Sequence, residues 1–338
     1  MTGMQSVWVW EPAIYLFLGG LAGGTFLVSS IVRLLTKEGH ARLAVVAPWM
    51  SFAALVVGLL CLLLDVAKPL QAMLMWRSFV NFGSWMTIGA WLLFAAVAVF
   101  FVNAVFSTPK TMQIIGSFVK GALKIRDGVI KVTLIAGALL GLCVAVYTGI
   151  LLMQAGSIPL WDTPLIPVLF TVSALDAGAS VVIAILITEK PAMSLDGGFA
   201  DEEGACALAR TSHLVQIALL VLVVLEAAVI AILLMTMSGG TISQSLAADT
   251  LISGALSIPF WFLIVIVGIA VPLVLGAVDL LGVVKSAQLS RALHVVAVFC
   301  ALVGGFTLRF VILVAGVHGV FMSPDSYQAM LSVYTLMA

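Results

Sequence analysis

Long apolar runs alternate with short polar breaks along the whole chain. The runs fall at about 13–35, 43–64, 84–106, 132–154, 164–188, 213–235, 258–281 and 292–317. Each is about as long as the ~20 residues a helix needs to cross ~30 Å of hydrocarbon. Backbone N–H and C=O groups find no water in lipid, so a run of this length closes its hydrogen bonds within itself as a helix. The pattern predicts an all-α membrane protein with eight transmembrane helices, arranged as one integral membrane domain over residues 1–338. No basic residue lies between Met1 and Pro12. A secretory signal would carry a positive segment there, so the first helix is expected to stay in the protein.

Composition agrees. Hydrophobic residues make up 63% and charged residues 9%, against ~25% charged in a soluble domain. The formal net charge is zero, which argues against nucleic acid as a partner. The cysteines Cys61, Cys143, Cys206 and Cys300 are scattered, with no C-x-x-C pair. They read as small packing residues, and no iron–sulfur cluster is expected within this chain.

The charges that remain are placed unevenly. An eight-helix chain has both termini on one side. The loops and flanks after helices 1, 3, 5 and 7 hold 12 cations: Arg33, Lys37, Arg42, Lys110, Lys120, Lys124, Arg126, Lys131, Lys190, Arg210, Lys285 and Arg291. The termini and remaining loops hold Lys68 and Arg77, and Arg309 lies inside the last run. Basic loops stay in the cytoplasm, so both termini are expected on the outer, extracytoplasmic side. In the 107–131 loop, Ile114, Ile115, Phe118, Val119, Ala122 and Leu123 recur at helical spacing among basic residues. That suits a basic amphipathic helix on the anionic inner leaflet, or equally a solvated loop. The outer side is aromatic instead, with Trp8, Trp10, Trp76, Phe79, Phe82, Trp85, Trp161 and Trp261. Part of this is the interfacial belt. Its concentration and low charge also suit a docking face.

Several segments resemble a known family. They are Tyr15-Leu-Phe-Leu-Gly-Gly-Leu-Ala-Gly-Gly24, Leu62-Leu-Leu-Asp65-Val-Ala-Lys-Pro69-Leu, Tyr147-Thr-Gly149, Pro159-Leu-Trp161, Pro164-Leu-Ile-Pro167-Val-Leu-Phe170 and Gly304-Gly-Phe-Thr-Leu-Arg309. In this order and spacing they resemble the NrfD/PsrC family of polysulfide-reductase-type membrane subunits over essentially the whole chain. The resemblance implies an eight-helix, quinone-reactive anchor in a bacterial or archaeal cytoplasmic membrane, taking menaquinone or ubiquinone as substrate. It implies no haem, a four-cluster iron–sulfur partner, often with a molybdopterin catalytic subunit, and a quinone pocket near the outer face.

The resemblance and the depth of each side chain together nominate Tyr147, Asp65, Arg309, Tyr15 and Glu11 for that pocket. Tyr147 lies about 16 residues into its helix from the basic end, ~24 Å at ~1.5 Å per residue. Its phenol suits a quinone carbonyl or an interfacial belt. Asp65, with Lys68 three residues on, is either a local ion pair or an acceptor for quinol protons. The glycines Gly19, Gly20, Gly23 and Gly24 suit close helix approach.

Ionisable groups within the spans are costly, by ~2.5–3.5 kcal/mol on permissive scales, and are functional candidates. Asp176, Glu226, Asp279, His213 and His294 form a ladder by depth from the basic side toward the pocket. They can carry protons, or fix helix register as buried ion pairs. Two rival readings are an ion- or proton-coupled transporter, for which Pro272 could mark a broken helix, and a purely structural anchor. No haem pair is expected from His40, His213, His294 and His318.

Overall fold

The computed structural model describes residues 10–36, 40–65, 83–118, 121–155, 158–189, 202–282 and 286–316. The apolar runs become the helices α1 (Trp10–Leu35), α2 (Ala41–Asp65), α3 (Trp85–Ser107), α5 (Ala122–Met153), α6 (Leu165–Ile187), α7 (Glu202–Ser238) and α10 (Ala287–Val314). The remaining span is a π-helix, Pro259–Ala270, running directly into α9 (Val271–Leu280). Eight helices are thus long and apolar enough to cross a membrane. Two short helices lie outside the spans, α4 (Pro109–Phe118) and α8 (Ile242–Ile252).

Among the described residues, the stretch from Ile114 to Arg126 falls in two helices. Its first part is α4, and Lys124 and Arg126 belong to the first turns of α5. Gly121 stands between them, and Arg126 turns back to donate to the Phe106 carbonyl, 3.1 Å away.

Packing sorts the spans into two groups of four. In the first, α1 touches α2, α2 touches α3, α3 touches α5 and α5 returns to α1. In the second, α6 touches α7, α7 touches α9, the π-helix and α9 touch α10, and α10 returns to α6. The groups meet mainly where α6 lies on α1 and α5. Small residues make this contact possible. A Cβ on Gly24 would sit 1.9 Å from the Ala174 carbonyl oxygen, and one on Gly178 would sit 2.2 Å from the Gly24 carbonyl carbon. Gly23 and Gly141 meet the same way between α1 and α5. In lipid no hydrophobic drive holds helices together, so van der Waals contact between bare backbones supplies the attraction.

One end of the assembly carries the exposed cations Arg42, Lys110, Lys124, Lys131, Arg210 and Arg291; we call it the basic end. The other, aromatic end carries exposed Trp10, Trp85 and Trp261. Here Trp161 is buried and donates from Nε1 to the Ile312 carbonyl at 2.9 Å. Trp8, Trp76, Phe79 and Phe82 lie outside the described residues, as do Lys68 and His318.

Candidate functional site

Each four-helix group contains a cavity, and the two lie at opposite ends. The first, about 440 Å³ of unfilled space, opens within the aromatic half of the first group among α1, α2, α3 and α5. Its wall is leucine and glycine except for Tyr15, Tyr147 and Thr148. Thr148 turns its hydroxyl to its own helix, donating to the Ala145 carbonyl at 2.7 Å. The two phenols are therefore the polar groups of this cleft. The Tyr147 ring fits a notch at Gly89 of α3, where an added Cβ would sit 1.8 Å from the ring's Cζ. The lining follows the usual pattern of small-molecule sites, apolar walls with few polar groups.

The second feature is a cluster of ionisable side chains between the groups. Arg309 of α10 is fully buried. Its Nη1 donates to the Gly305 carbonyl at 2.8 Å and to Ser173 Oγ at 3.1 Å, and its Nη2 to the Phe170 carbonyl at 3.3 Å. The guanidinium also lies 5.7 Å from the Phe17 ring centre and 5.3 Å from that of Phe170. Glu226 of α7 lies close enough to Ser173, Arg309 and Asp176 to interact with each. Such a cluster persists in a low-dielectric interior only because charge and hydrogen bonds are shared among its members.

The third feature lies at the basic end of the second group. His294 Nε2 is 3.6 Å from Asp279 Oδ2. Asp279 Oδ1 accepts from Ser290 Oγ at 2.6 Å, and Oδ2 accepts from Gln216 Nε2 at 3.2 Å. This constellation stands beside the second cavity, about 380 Å³, lined among others by Ser180, Gln216, Gly276 and His294.

The residues nominated from the sequence are therefore spread over three places. Tyr15 and Tyr147 share the cleft. Arg309 does not. It lies behind α1, where a Cβ on Gly20 would sit 2.8 Å from its Nη2, while the neighbouring Gly19 lines the cleft. Glu11 is exposed in the first turn of α1. Asp65 is the last residue of α2, three residues beyond cleft-lining Leu62, and its side chain lies outside the described residues. Asp176 and Glu226 join Arg309, and Asp279 joins His294, while His213 is exposed.

The comparisons with known proteins bear on the whole chain. The family described as polysulphide reductase, NrfD, matches residues 1–320. This chain belongs to the NrfD family. It is 29% identical over 323 residues to one of the chains of the polysulfide reductase of Wolinella succinogenes, covering 92% of this chain and 94% of that one. It is 25% identical over 326 residues to the NrfD homolog of Haemophilus influenzae, with the same coverage of 92% and 94%. As an NrfD-family protein with eight candidate spans, it is a multi-pass membrane protein.

The geometry adds residues to this NrfD-family protein that charge and motif did not single out. Gly89 makes the notch for Tyr147. Ser173 accepts from Arg309 close to Glu226, and Gln216 and Ser290 hold Asp279. One signal was present in the sequence: Ser173, Asp176 and Ser180 recur at i, i+3 and i+7, a polar stripe on one face of an otherwise apolar helix. No group of three or more His, Cys, Asp or Glu placed to hold a metal ion occurs among the described residues.

Proposed function

We propose that this NrfD-family protein is the quinone-reactive membrane subunit of a respiratory oxidoreductase complex in a bacterial or archaeal cytoplasmic membrane. The cleft around Tyr147 supports this reading most directly. It is an apolar space at membrane depth whose polar groups are two phenols. A quinone ring is flat, apolar on both faces and polar at two carbonyl oxygens, and a phenol O–H matches one of those oxygens while its ring packs beside the other carbons. Leu59, Leu62 and Leu93 along the cleft are half-exposed on the membrane side, which suits an isoprenoid tail reaching out to lipid.

In this role the protein binds menaquinone or ubiquinone, and quinol oxidation releases two electrons and two protons per ring. The electrons pass to, or in the reverse reaction from, a cluster in a separate iron–sulfur subunit of four-cluster type seated on the aromatic end, with a molybdopterin subunit beyond it. Exposed Trp10, Trp85 and Trp261 give that end a low-charge, aromatic contact surface. The distribution of cations supports an extracytoplasmic position for it and for both termini. The naming of the Wolinella succinogenes relative as one part of polysulfide reductase supports a role as a subunit.

The test is quinol oxidation by the purified complex. Tyr147→Phe removes a single neutral hydrogen bond, ordinarily ~0.5–1.5 kcal/mol, so kcat/KM for quinol is expected to fall about 2- to 10-fold. Gly89→Ala would set a Cβ 1.8 Å from Tyr147 Cζ and 1.9 Å from its hydroxyl oxygen, and is expected to produce a similar or larger loss by displacing the phenol without deleting it. Unchanged kinetics in both variants would remove this cleft from the reaction.

A further inference from the structure

We infer that the basic end of the first four-helix group holds a site for the phosphate of an anionic glycerophospholipid, with Arg33 and Arg126 as its cationic walls. The site shares no residue with the tyrosine cleft and does not depend on the quinone reading.

It is built around a fixed guanidinium. Arg33, in the last turn of α1, is half-buried. It donates from Nη1 to Asn103 Oδ1 at 3.1 Å and from Nη2 to Ser107 Oγ at 3.2 Å. Asn103 is fully buried in α3. Its Nδ2 donates to Thr133 Oγ1 of α5 at 2.7 Å and to the Ile130 carbonyl at 3.4 Å, which turns Oδ1 toward the arginine. Side chains from three helices thus hold the fork in place before any ligand arrives. Arg126 of α5 reaches the same turn of α3, where its Nε donates to the carbonyl of Phe106, the chain neighbour of Ser107.

What the protein does not supply here is negative charge. His40 lies 3.9 Å from Glu189, His294 lies 3.6 Å from Asp279, and Arg309 has Glu226 close by. Arg33 and Arg126 form no ion pair among the described residues. Their partners are an amide, a hydroxyl and a backbone carbonyl, none of which carries a formal charge. Helix ends do not make up the deficit. α1 and α3 finish at this end with their negative poles, while α2 and α5 start here with their positive ones, so the macrodipoles oppose in pairs. Lys110, Lys124 and Lys131 add exposed cations around the site, and the described residues from 107 to 135 offer one carboxylate against them, exposed Asp127. Charges removed from water are normally paired, and two guanidiniums at one helix turn repel until an anion lies between them.

Both arginines keep donors for such an anion. Arg33 Nε has no acceptor among the described residues and, unlike Arg309 Nε, is not sealed in the interior. Neither Nη of Arg126 has an acceptor among the described residues. A planar fork with free N–H groups matches the paired oxygens of a phosphate.

The surroundings assign that phosphate to a lipid. α5 leaves the site with Ile125, Val132, Ile135 and Leu139 exposed. Their spacing of i, i+7, i+10 and i+14 sets them on one face, as an apolar track running from the arginines into the span. A headgroup at the level of the arginines lays an acyl chain along that track. A soluble phosphate would make no use of it.

The test is lipid titration of the purified full chain in neutral detergent, read by native mass spectrometry. Dioleoylphosphatidylglycerol is expected to bind about 10-fold more tightly than dioleoylphosphatidylcholine, as two cations near a lipid surface would give. Arg33→Gln and Arg126→Gln should each bring that ratio close to parity, with phosphatidylcholine binding unchanged. Arg126→Gln gives up one bond to a carbonyl and decides the matter if Arg33→Gln does not fold. Arg291→Gln, at an exposed cation on the basic end of the second group, should keep the full ratio. An equal fall in Arg291→Gln would show a diffuse attraction to the whole basic end and overturn the site. Excess inorganic phosphate should leave the bound phosphatidylglycerol in place, and displacement of the lipid would overturn its assignment in favour of a soluble anion. Equal affinity for the two lipids in the unsubstituted chain, or a preference that survives Arg126→Gln, also overturns the inference.

Discussion

Replacing Gly24 by alanine is expected to leave almost no folded protein in the membrane. The added methyl would sit 1.9 Å from the Ala174 carbonyl oxygen and 2.7 Å from its carbon. Both are backbone atoms in the middle of α6, so no side chain can rotate away. The only relief is to part α1 from α6, and that also breaks the reciprocal contact of Gly178 against the Gly24 carbonyl. Overpacking a well-filled core typically costs ~1–3 kcal/mol where side chains can adjust, and here they cannot. The measurement is the yield and thermal midpoint of the purified protein, with Gly128→Ala as control. Gly128 also lies within α5, but its Cβ position has no atom within 4 Å. Equal yield and midpoint for the two variants would show that the helix contact is looser than described.

The next largest loss is expected at Arg309. Arg309→Met keeps an unbranched apolar stem but deletes the cation that serves Ser173, Gly305 and Phe170. It leaves Glu226 and Asp176 buried together without a positive partner. Removing one member of a buried charge cluster costs ~3–5 kcal/mol. Arg309→Lys is expected to recover little, because an ammonium cannot reproduce a planar fork with several fixed acceptors. The decisive comparison is the double variant Arg309→Met with Glu226→Gln. Neutralising both should recover a substantial part of the lost stability in a thermal or denaturant series. Strict additivity of the two single effects would show that the groups do not sense each other.

The eight spans could be read from the sequence because lipid imposes a simple rule, length and apolarity, that each run meets independently of its neighbours. How the spans pack could not be read that way. α6 is the most enclosed helix, yet its sequence is no more apolar than that of the π-helix and α9, which face outward. Lipid and protein interior are both apolar, so hydropathy does not separate them. The better clue is small and polar residues on one face, as in Ser173, Asp176, Gly178 and Ser180. Depth along a helix was equally legible, and Tyr147 and Tyr15 line the same cleft. Depth carries no azimuth, however. Arg309 shares that level but lies across α1, and only the alternation of Gly19 and Gly20 around the helix separates the two surroundings. The pairing of Asp279 with His294 crosses from α9 to α10 and depends on the short connection between them, which apolar periodicity does not describe.

Between Gly19 and Gly20, α1 is a partition with no side chains, so the wall separating the tyrosine cleft from the arginine cluster is little more than one peptide ribbon. Across ~10 Å, the breadth of a helix, two unit charges at an effective permittivity of about 20 interact by ~1.7 kcal/mol. That is more than a tenfold bias on any equilibrium that alters charge on the far side. Gain or loss of a charge on one face is thus transmitted to the other as an electric field, with every helix held where its glycines pin it.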